Sequence, residues 1–246
     1  MTLRGSFIPA RIALFFDVDG TLLEIAPTPH AVKVPAALRN SLQLAAEREN
    51  GALALISGRA ISELDRLFVP CVFPAAGQHG LERRDAQGRI TRPHIPVELL
   101  GPARMALLRL QAQHKGLLLE DKGAALAMHY RLAPAKESSV SDALRALAAP
   151  LAGQFEVRAG KFVFELVPCG YTKRTAIEAF MREEPFAGRT PVFFGDDLAD
   201  EDGFDAVNML GGFSIRVGAT EETRARYRFG SVSGVIAWLR ERNLSY

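Results

Sequence analysis

The sequence predicts an α/β fold: a parallel sheet with helices, interrupted once by an inserted α+β module. Three observations predict it. Strand-like apolar runs alternate with helical spacings from Arg11 to Ala75, the mark of right-handed βαβ crossovers. Between Val97 and Leu166 the order becomes helix, strand, strand, twice over, with glycines at the hairpins. From Lys173 the first alternation returns and runs to Arg242.

Each element has its own local reason. Arg11 to Phe16 is an apolar run that stops at Asp17 and reads as a buried strand. Pro35 opens a helix to Glu49, with Ala37, Leu38, Leu42, Leu44 and Ala45 at helical spacing. Gly51 closes it, and Ala52 to Ile56 forms a second strand. Ile61 to Leu67 is a short helix and Val72 to Ala75 a third strand. Gly88 marks a turn within Arg84 to Arg89. The module then has a helix over Val97 to His114 and strands over Leu117 to Asp121 and Ala124 to Arg131, around Gly123. It continues with a helix over Lys136 to Ala149 and strands over Gln154 to Arg158 and Lys161 to Leu166, around Gly160. Its expected limits are 82 and 168. The returning alternation gives a helix at Lys173 to Arg182, a strand at Pro191 to Phe194 and a helix at Glu201 to Met209. A strand at Phe213 to Val217 and a helix at Val232 to Arg242 complete it.

Composition excludes several classes. The chain of 246 residues is 48% hydrophobic and 24% charged, which suits a globular protein and argues against disorder. No apolar run approaches the ~20 residues of a membrane span. The first residues lack a signal-peptide pattern. Cys71 and Cys169 have no partner pattern for a zinc site or a disulfide framework, so a reducing cytoplasm is the expected setting. No block of like charge suggests a nucleic-acid arm. Residues 83 to 168 hold 13 basic and 8 acidic side chains, against 17 and 20 elsewhere. That division suits a metal site facing an anion-holding lid, and scatter of surface charge gives the same numbers.

Ligands of open α/β sheets bind beyond the carboxyl ends of the strands. Three such ends carry polar clusters: Asp17-Val18-Asp19-Gly20-Thr21, Ser57-Gly58-Arg59 and Gly195-Asp196-Asp197. Asp17 and Asp19 repel each other and call for a divalent cation, with Asp196 as a third carboxylate; oxygen ligands favour Mg²⁺. Read singly, each has a plainer meaning. Asp-Gly is a turn pair, Ser57 suits a helix N-cap ahead of Ile61, and Lys173 suits a solvated helix.

The four motifs taken in order, Asp17-x-Asp19-Gly20-Thr21, Ser57, Lys173 and Gly195-Asp196-Asp197, resemble those of haloacid dehalogenase-like phosphohydrolases. A closer resemblance is to the trehalose-6-phosphate phosphatases within that superfamily. It rests on Ser57-Gly58-Arg59, Gly77-x-His79-Gly80, Glu120-Asp121-Lys122, His129-Tyr130-Arg131, Gly160-Lys161-x3-Glu165 and Gly195-Asp196-Asp197-x-x-Asp200-Glu201. Arg174, Ala199 and Val167 stand where that family usually has Gly, Thr and a basic residue.

The resemblance implies a Rossmann-like core of residues 1–81 and 169–246, with an inserted α+β cap of type C2 at 82–168. It implies Asp17 as nucleophile, Asp19 as acid and base, and Ser57 and Lys173 on the phosphoryl group. Mg²⁺ is expected on Asp17, the Asp19 backbone carbonyl and Asp196, with Asp197 and Asp200 behind them. Arg59, His79, Glu120, Lys122, His129, Arg131, Lys161 and Glu165 are expected to meet the substrate, a disaccharide phosphate. Strand alternation in the module supports part of this independently. Ala124, Leu126, Met128 and Tyr130 share one face, while Glu120, Lys122, His129, Arg131, Lys161 and Glu165 share the other. Mixed carboxylates and cations suit sugar hydroxyls, and a plainly solvated face has the same pattern. Other phosphatases, of sucrose- or mannosylglycerate-phosphate type, a phosphomutase and a non-catalytic sugar-phosphate sensor are the rivals.

Overall fold

The computed structural model describes residues 9, 11–25, 32–93, 97–160, 162–219 and 222–244. Up to the hairpin, the elements are β1 (Ile12–Phe16), α1 (Ala36–Arg48), β2 (Leu53–Ile56), α2 (Ile61–Phe68), β3 (Ala75–Gly77), β4 (Glu82–Arg84) and β5 (Ile90–Thr91). Then come α3 (Gly101–Gln113), β6 (Leu118–Asp121), β7 (Leu126–His129), α4 (Glu137–Ala148), β8 (Phe155–Gly160) and β9 (Val163–Pro168). Last are α5 (Lys173–Phe180), β10 (Thr190–Gly195), α6 (Glu201–Met209), β11 (Phe213–Val217), β12 (Tyr227–Phe229) and α7 (Val232–Leu244).

These form two compact units. One holds the described residues up to Arg92 and from Tyr171 on; the other is Pro93–Gly170. The first is an eight-stranded sheet in the order β12-β11-β10-β1-β2-β3-β4-β5. The six strands from β12 to β3 are parallel. β1 is wholly buried because its alternate side chains feed two cores. Ile12, Leu14 and Phe16 pack with Leu38 and Leu42 of α1 and Trp238 of α7. Ala13 and Phe15 pack with Ile177 and Phe180 of α5 and Phe204 of α6. A strand covered on both faces reads as an unbroken apolar run. Phe15, Phe180 and Phe186 meet ring to ring, with centroids 5.0 to 6.0 Å apart. Each buried phenylalanine contributes roughly 1.5–3 kcal/mol. That cluster fixes α5 against the sheet, and with it Lys173 at the helix start.

Three features depart from the sequence expectation. The third strand is Ala75–Gly77 rather than Val72 to Ala75; Val72 is 66% exposed, and Pro74 has no N–H to give a ladder. The turn at Gly88 joins β4 to β5, and β4 pairs antiparallel with β3. That hairpin therefore extends the large sheet, and the compact units divide at Arg92 and Gly170, against the expected 82 and 168. The three-residue β12, Tyr-Arg-Phe, has too short and mixed a pattern to be read in advance.

The second unit is an antiparallel sheet in the order β6-β7-β9-β8. Leu126, Met128, Tyr130, Phe164 and Leu166 form its core with Leu107 of α3 and Val140 and Leu144 of α4. Registers align Glu120, Ala127, Glu165 and Arg158 in one row across all four strands. Among the described residues no helix is long and apolar enough to cross a membrane.

Candidate active site

Sheet register brings the polar clusters of the first unit together. β1 lies between β10 and β2, with Phe16 opposite both Phe194 and Leu55. The segments that follow these strands, at Asp17, Ser57 and Asp196, are therefore neighbours. Asp17 donates its backbone N–H to the Phe194 carbonyl at 2.9 Å and is 5% exposed.

Lys173 is not a solvated helix lysine. It is 3% exposed, and its Nζ donates to Asp17 Oδ1 at 2.7 Å and Asp200 Oδ1 at 2.6 Å. Burial alone would lower its pKa, but the charges of Asp17 and Asp200 outweigh burial and raise it. The other oxygen of Asp200, Oδ2, accepts the backbone N–H groups of Asp196 and Asp197, each at 2.9 Å. Asp200, with no exposed surface, thus ties the Asp196 loop to Lys173. Asp197 is exposed, and its Oδ1 accepts the Leu198 N–H at 2.6 Å.

Carboxylate oxygens of Asp17, Asp196 and Asp200 lie within 4.8 Å of one another. Burial pushes the Asp17 carboxyl well above its ordinary range despite Lys173. Burial, then the charge of Asp200, pushes Asp196 up to about 6. Asp200 is committed to three donors, which leaves Asp17 and Asp196 as the open pair. The space beside them is kept clear by Gly20. A Cβ there would stand 2.0 Å from Asp196 Oδ2, and its φ of +87° suits glycine. Thr21 Oγ1 donates to Asp196 Oδ1 at 3.3 Å. An oxygen-only donor set, more acidic than its one ammonium neutralises, fits a hard divalent cation.

Asp19 lies outside that cluster. Its carboxylate accepts Arg59 Nε at 2.6 Å and Arg59 Nη2 at 2.7 Å, and its side chain is 34% exposed. Arg59, expected to meet substrate, is turned to Asp19. Ser57 is 1% exposed; its Oγ accepts the Arg59 N–H at 3.1 Å, while Ala60 occupies the α2 N-cap. His79 has a left-handed backbone at φ 57° and donates its N–H to the Ser57 carbonyl at 2.9 Å.

In the second unit, Lys122 Nζ donates to Glu165 Oε1 at 2.7 Å. His129 Nε2 and Glu120 Oε2 lie 2.8 Å apart. Arg131 departs from the face expected of it: the strand ends at His129, and its guanidinium sits over the Phe162 ring, 5.8 Å from the centroid. Lys161 lies outside the described residues. The sequence reading passed over Arg216, which touches the Asp197 carbonyl. The available signal was a lone arginine inside the apolar strand Phe213 to Val217.

Acid groups gathered at the carboxyl ends of parallel strands, with a buried lysine bridging two of them, define a hydrolase of haloacid dehalogenase-like fold. A structure of such a hydrolase from Bacteroides thetaiotaomicron superposes with a TM-score of 0.68 at 16% identity, covering 95% of this chain and 100% of that one. The family model for trehalose-phosphatase matches residues 15–233, and the chain belongs to that family. It is 48% identical to the trehalose-6-phosphate phosphatase of Escherichia coli (strain K12) over 235 residues, covering 94% of this chain and 86% of that protein. A probable trehalose-phosphate phosphatase of Sinorhizobium fredii is 44% identical over 84% of this chain and 77% of its own length. The C-terminal domain of Candida albicans trehalose-6-phosphate phosphatase shares the fold, with a TM-score of 0.84 at 20% identity over 95% of this chain and 93% of that one. The chain is an enzyme, a phosphoric monoester hydrolase, and its family implies a divalent metal.

Proposed function

We propose that this chain hydrolyses trehalose 6-phosphate to trehalose and inorganic phosphate, with the phosphoryl group carried in passing by Asp17. The observation that carries the reading is the buried bridge of Lys173 between Asp17 and Asp200, beside the open pair Asp17 and Asp196. The named activity of the 48% identical relative supplies the sugar.

The Asp17 carboxylate attacks phosphorus, and the bond from phosphorus to the sugar oxygen breaks. A carboxylate nucleophile divides a slow hydrolysis into two easier steps. Asp19, released from one of its two Arg59 bonds and carrying a proton, gives that proton to the departing sugar oxygen. It then takes a proton from the water that attacks phosphorus and frees Asp17. Ser57, whose Oγ accepts the Arg59 N–H, would donate its hydroxyl hydrogen to a phosphoryl oxygen. Lys173 steadies Asp17 and offsets phosphoryl charge. A divalent cation, Mg²⁺ on the oxygen donors, would be held by Asp17, Asp196 and the Asp19 backbone carbonyl. When bound it screens Asp17 from the charge of the phosphate.

Sugar hydroxyls both donate and accept, and paired carboxylates and cations suit them. We assign sugar recognition to Glu120, Lys122, His129 and Glu165, and a substrate contact to His79, whose backbone N–H bonds the Ser57 carbonyl. The test is phosphate release from a panel of sugar phosphates with and without Mg²⁺. Trehalose 6-phosphate should be hydrolysed with the highest kcat/KM. Preference for a sucrose or mannosylglycerate phosphate would reassign the substrate, and return of phosphate to sugar would make the chain a mutase.

A further inference from the structure

We infer that Arg216 and Glu201 are positioning residues that pre-form the loop carrying Asp196, and so set the affinity of the chain for its divalent cation. The inference rests on the metal reading above. Arg216 is on β11, opposite Gly195 of β10 in the register. Its neighbours Ile215 and Val217 are buried, and its own side chain is only 12% exposed. A charged group in that setting needs partners.

The partners are informative. Arg216 Nη1 donates to the Asp197 backbone carbonyl at 3.0 Å and to Glu201 Oε1 at 3.2 Å. Asp200 holds the same loop from the other side, through the N–H groups of Asp196 and Asp197. The two-residue loop is therefore gripped by a carboxylate on its N–H groups and a guanidinium on a carbonyl. Glu201 is itself anchored: Oε1 accepts Thr223 Oγ1 at 2.7 Å and Oε2 accepts the Arg224 N–H at 2.7 Å. The chain Arg224, Glu201, Arg216, Asp197 thus braces the loop against a segment that has no part in the proposed steps.

A ligand group held ready costs less to order when the cation arrives. Groups behind metal ligands commonly carry ~10–100-fold in metal affinity or activity. Here the effect falls on affinity, because Arg216 bonds the backbone of the loop and Glu201 rather than Asp17, Asp19 or Lys173.

The experiment is titration of Mg²⁺ into metal-free protein, followed by calorimetry and by the rise in Tm, for the parent, Arg216→Ala, Arg216→Lys and Glu201→Gln. Arg216→Ala should bind Mg²⁺ ~10–100-fold more weakly, with kcat at saturating Mg²⁺ near that of the parent. Arg216→Lys should recover part of the affinity, since one ammonium reaches the carbonyl or Glu201 but lacks the planar fork. If Arg216→Ala does not fold, Glu201→Gln carries the test and should also bind more weakly. Parental affinity in either folded variant overturns the inference, as does a loss confined to kcat at saturating metal. A parent that binds no Mg²⁺ sinks the metal reading itself, which separates the two failures.

Discussion

The guanidinium of Arg59 grips Asp19 at both carboxylate oxygens, Nε to Oδ2 at 2.6 Å and Nη2 to Oδ1 at 2.7 Å. The two carboxylates of the first motif are thereby given different partners. Asp17 faces Lys173 and the acid cluster, while Asp19 faces an arginine and stays part-exposed. Two residues apart in sequence, they are equipped for different work.

Asp19→Asn should slow trehalose 6-phosphate hydrolysis by roughly 10²–10⁴-fold, the usual worth of general acid and base catalysis. An aryl phosphate, whose leaving group needs less protonation, should lose less. Arg59→Met leaves the acid in place but unaimed, and should cost on the order of 10–100-fold on the sugar phosphate. Comparison of kcat on both substrates checks both variants. Equal losses on sugar and aryl substrates in Asp19→Asn would remove Asp19 from the acid role.

Lys173→Met removes the ammonium that bridges the buried carboxylates of Asp17 and Asp200. Breaking a buried ion pair costs ~3–5 kcal/mol, which for a chain of this size lowers Tm on the order of 10 °C. Thermal unfolding in chelator measures this. An unchanged Tm would mean that Asp17 and Asp200 tolerate each other without the lysine.

Chelator should abolish turnover, and added Mg²⁺ should restore it. The basis is the acid cluster of Asp17, Asp196 and Asp200, whose oxygens lie within 4.8 Å of each other. Full turnover in excess chelator, with metal content measured as negligible, would dismiss the cation.

Much of this was legible in the chain and some was not, for physical reasons. The central strands could be read because burial on both faces leaves them apolar throughout, so that Asp17 and Asp196 stand out where the apolar runs end. β3 was misplaced because Val72 and Phe73 look like strand residues, yet Val72 faces solvent. The pairing of Arg59 with Asp19 spans 40 positions and depends on sheet register, which no local pattern encodes. Nor does alternation along a strand say how deeply its polar face is buried. The alternation that puts Glu165 on the polar face suits a sugar contact and a solvated position alike; Glu165 is 7% exposed and its carboxylate meets Lys122.

That burial alters the expected behaviour of the second unit. Glu165→Ala would remove the carboxylate that Lys122 meets along with the side chain's bulk, so Glu165→Gln, which keeps shape and a hydrogen bond, is the cleaner variant. It should depress kcat/KM for trehalose 6-phosphate on the order of 10–100-fold, as for an unmet hydrogen bond to a desolvated sugar. Activity on a small aryl phosphate should stay near that of the parent. Parallel losses on both substrates in a folded variant would detach Glu165 from sugar recognition.

The most direct test of the account is phosphate release from trehalose 6-phosphate in Mg²⁺ by the parent and by Asp17→Asn. Asp17→Asn is nearly isosteric, and circular dichroism would show that it folds. The account predicts rapid release by the parent and none above background by the variant, because an amide is a poor nucleophile toward phosphorus. Release by Asp17→Asn at a rate comparable to that of the parent would contradict it, since water would then be attacking the phosphate without an aspartyl-phosphate on Asp17.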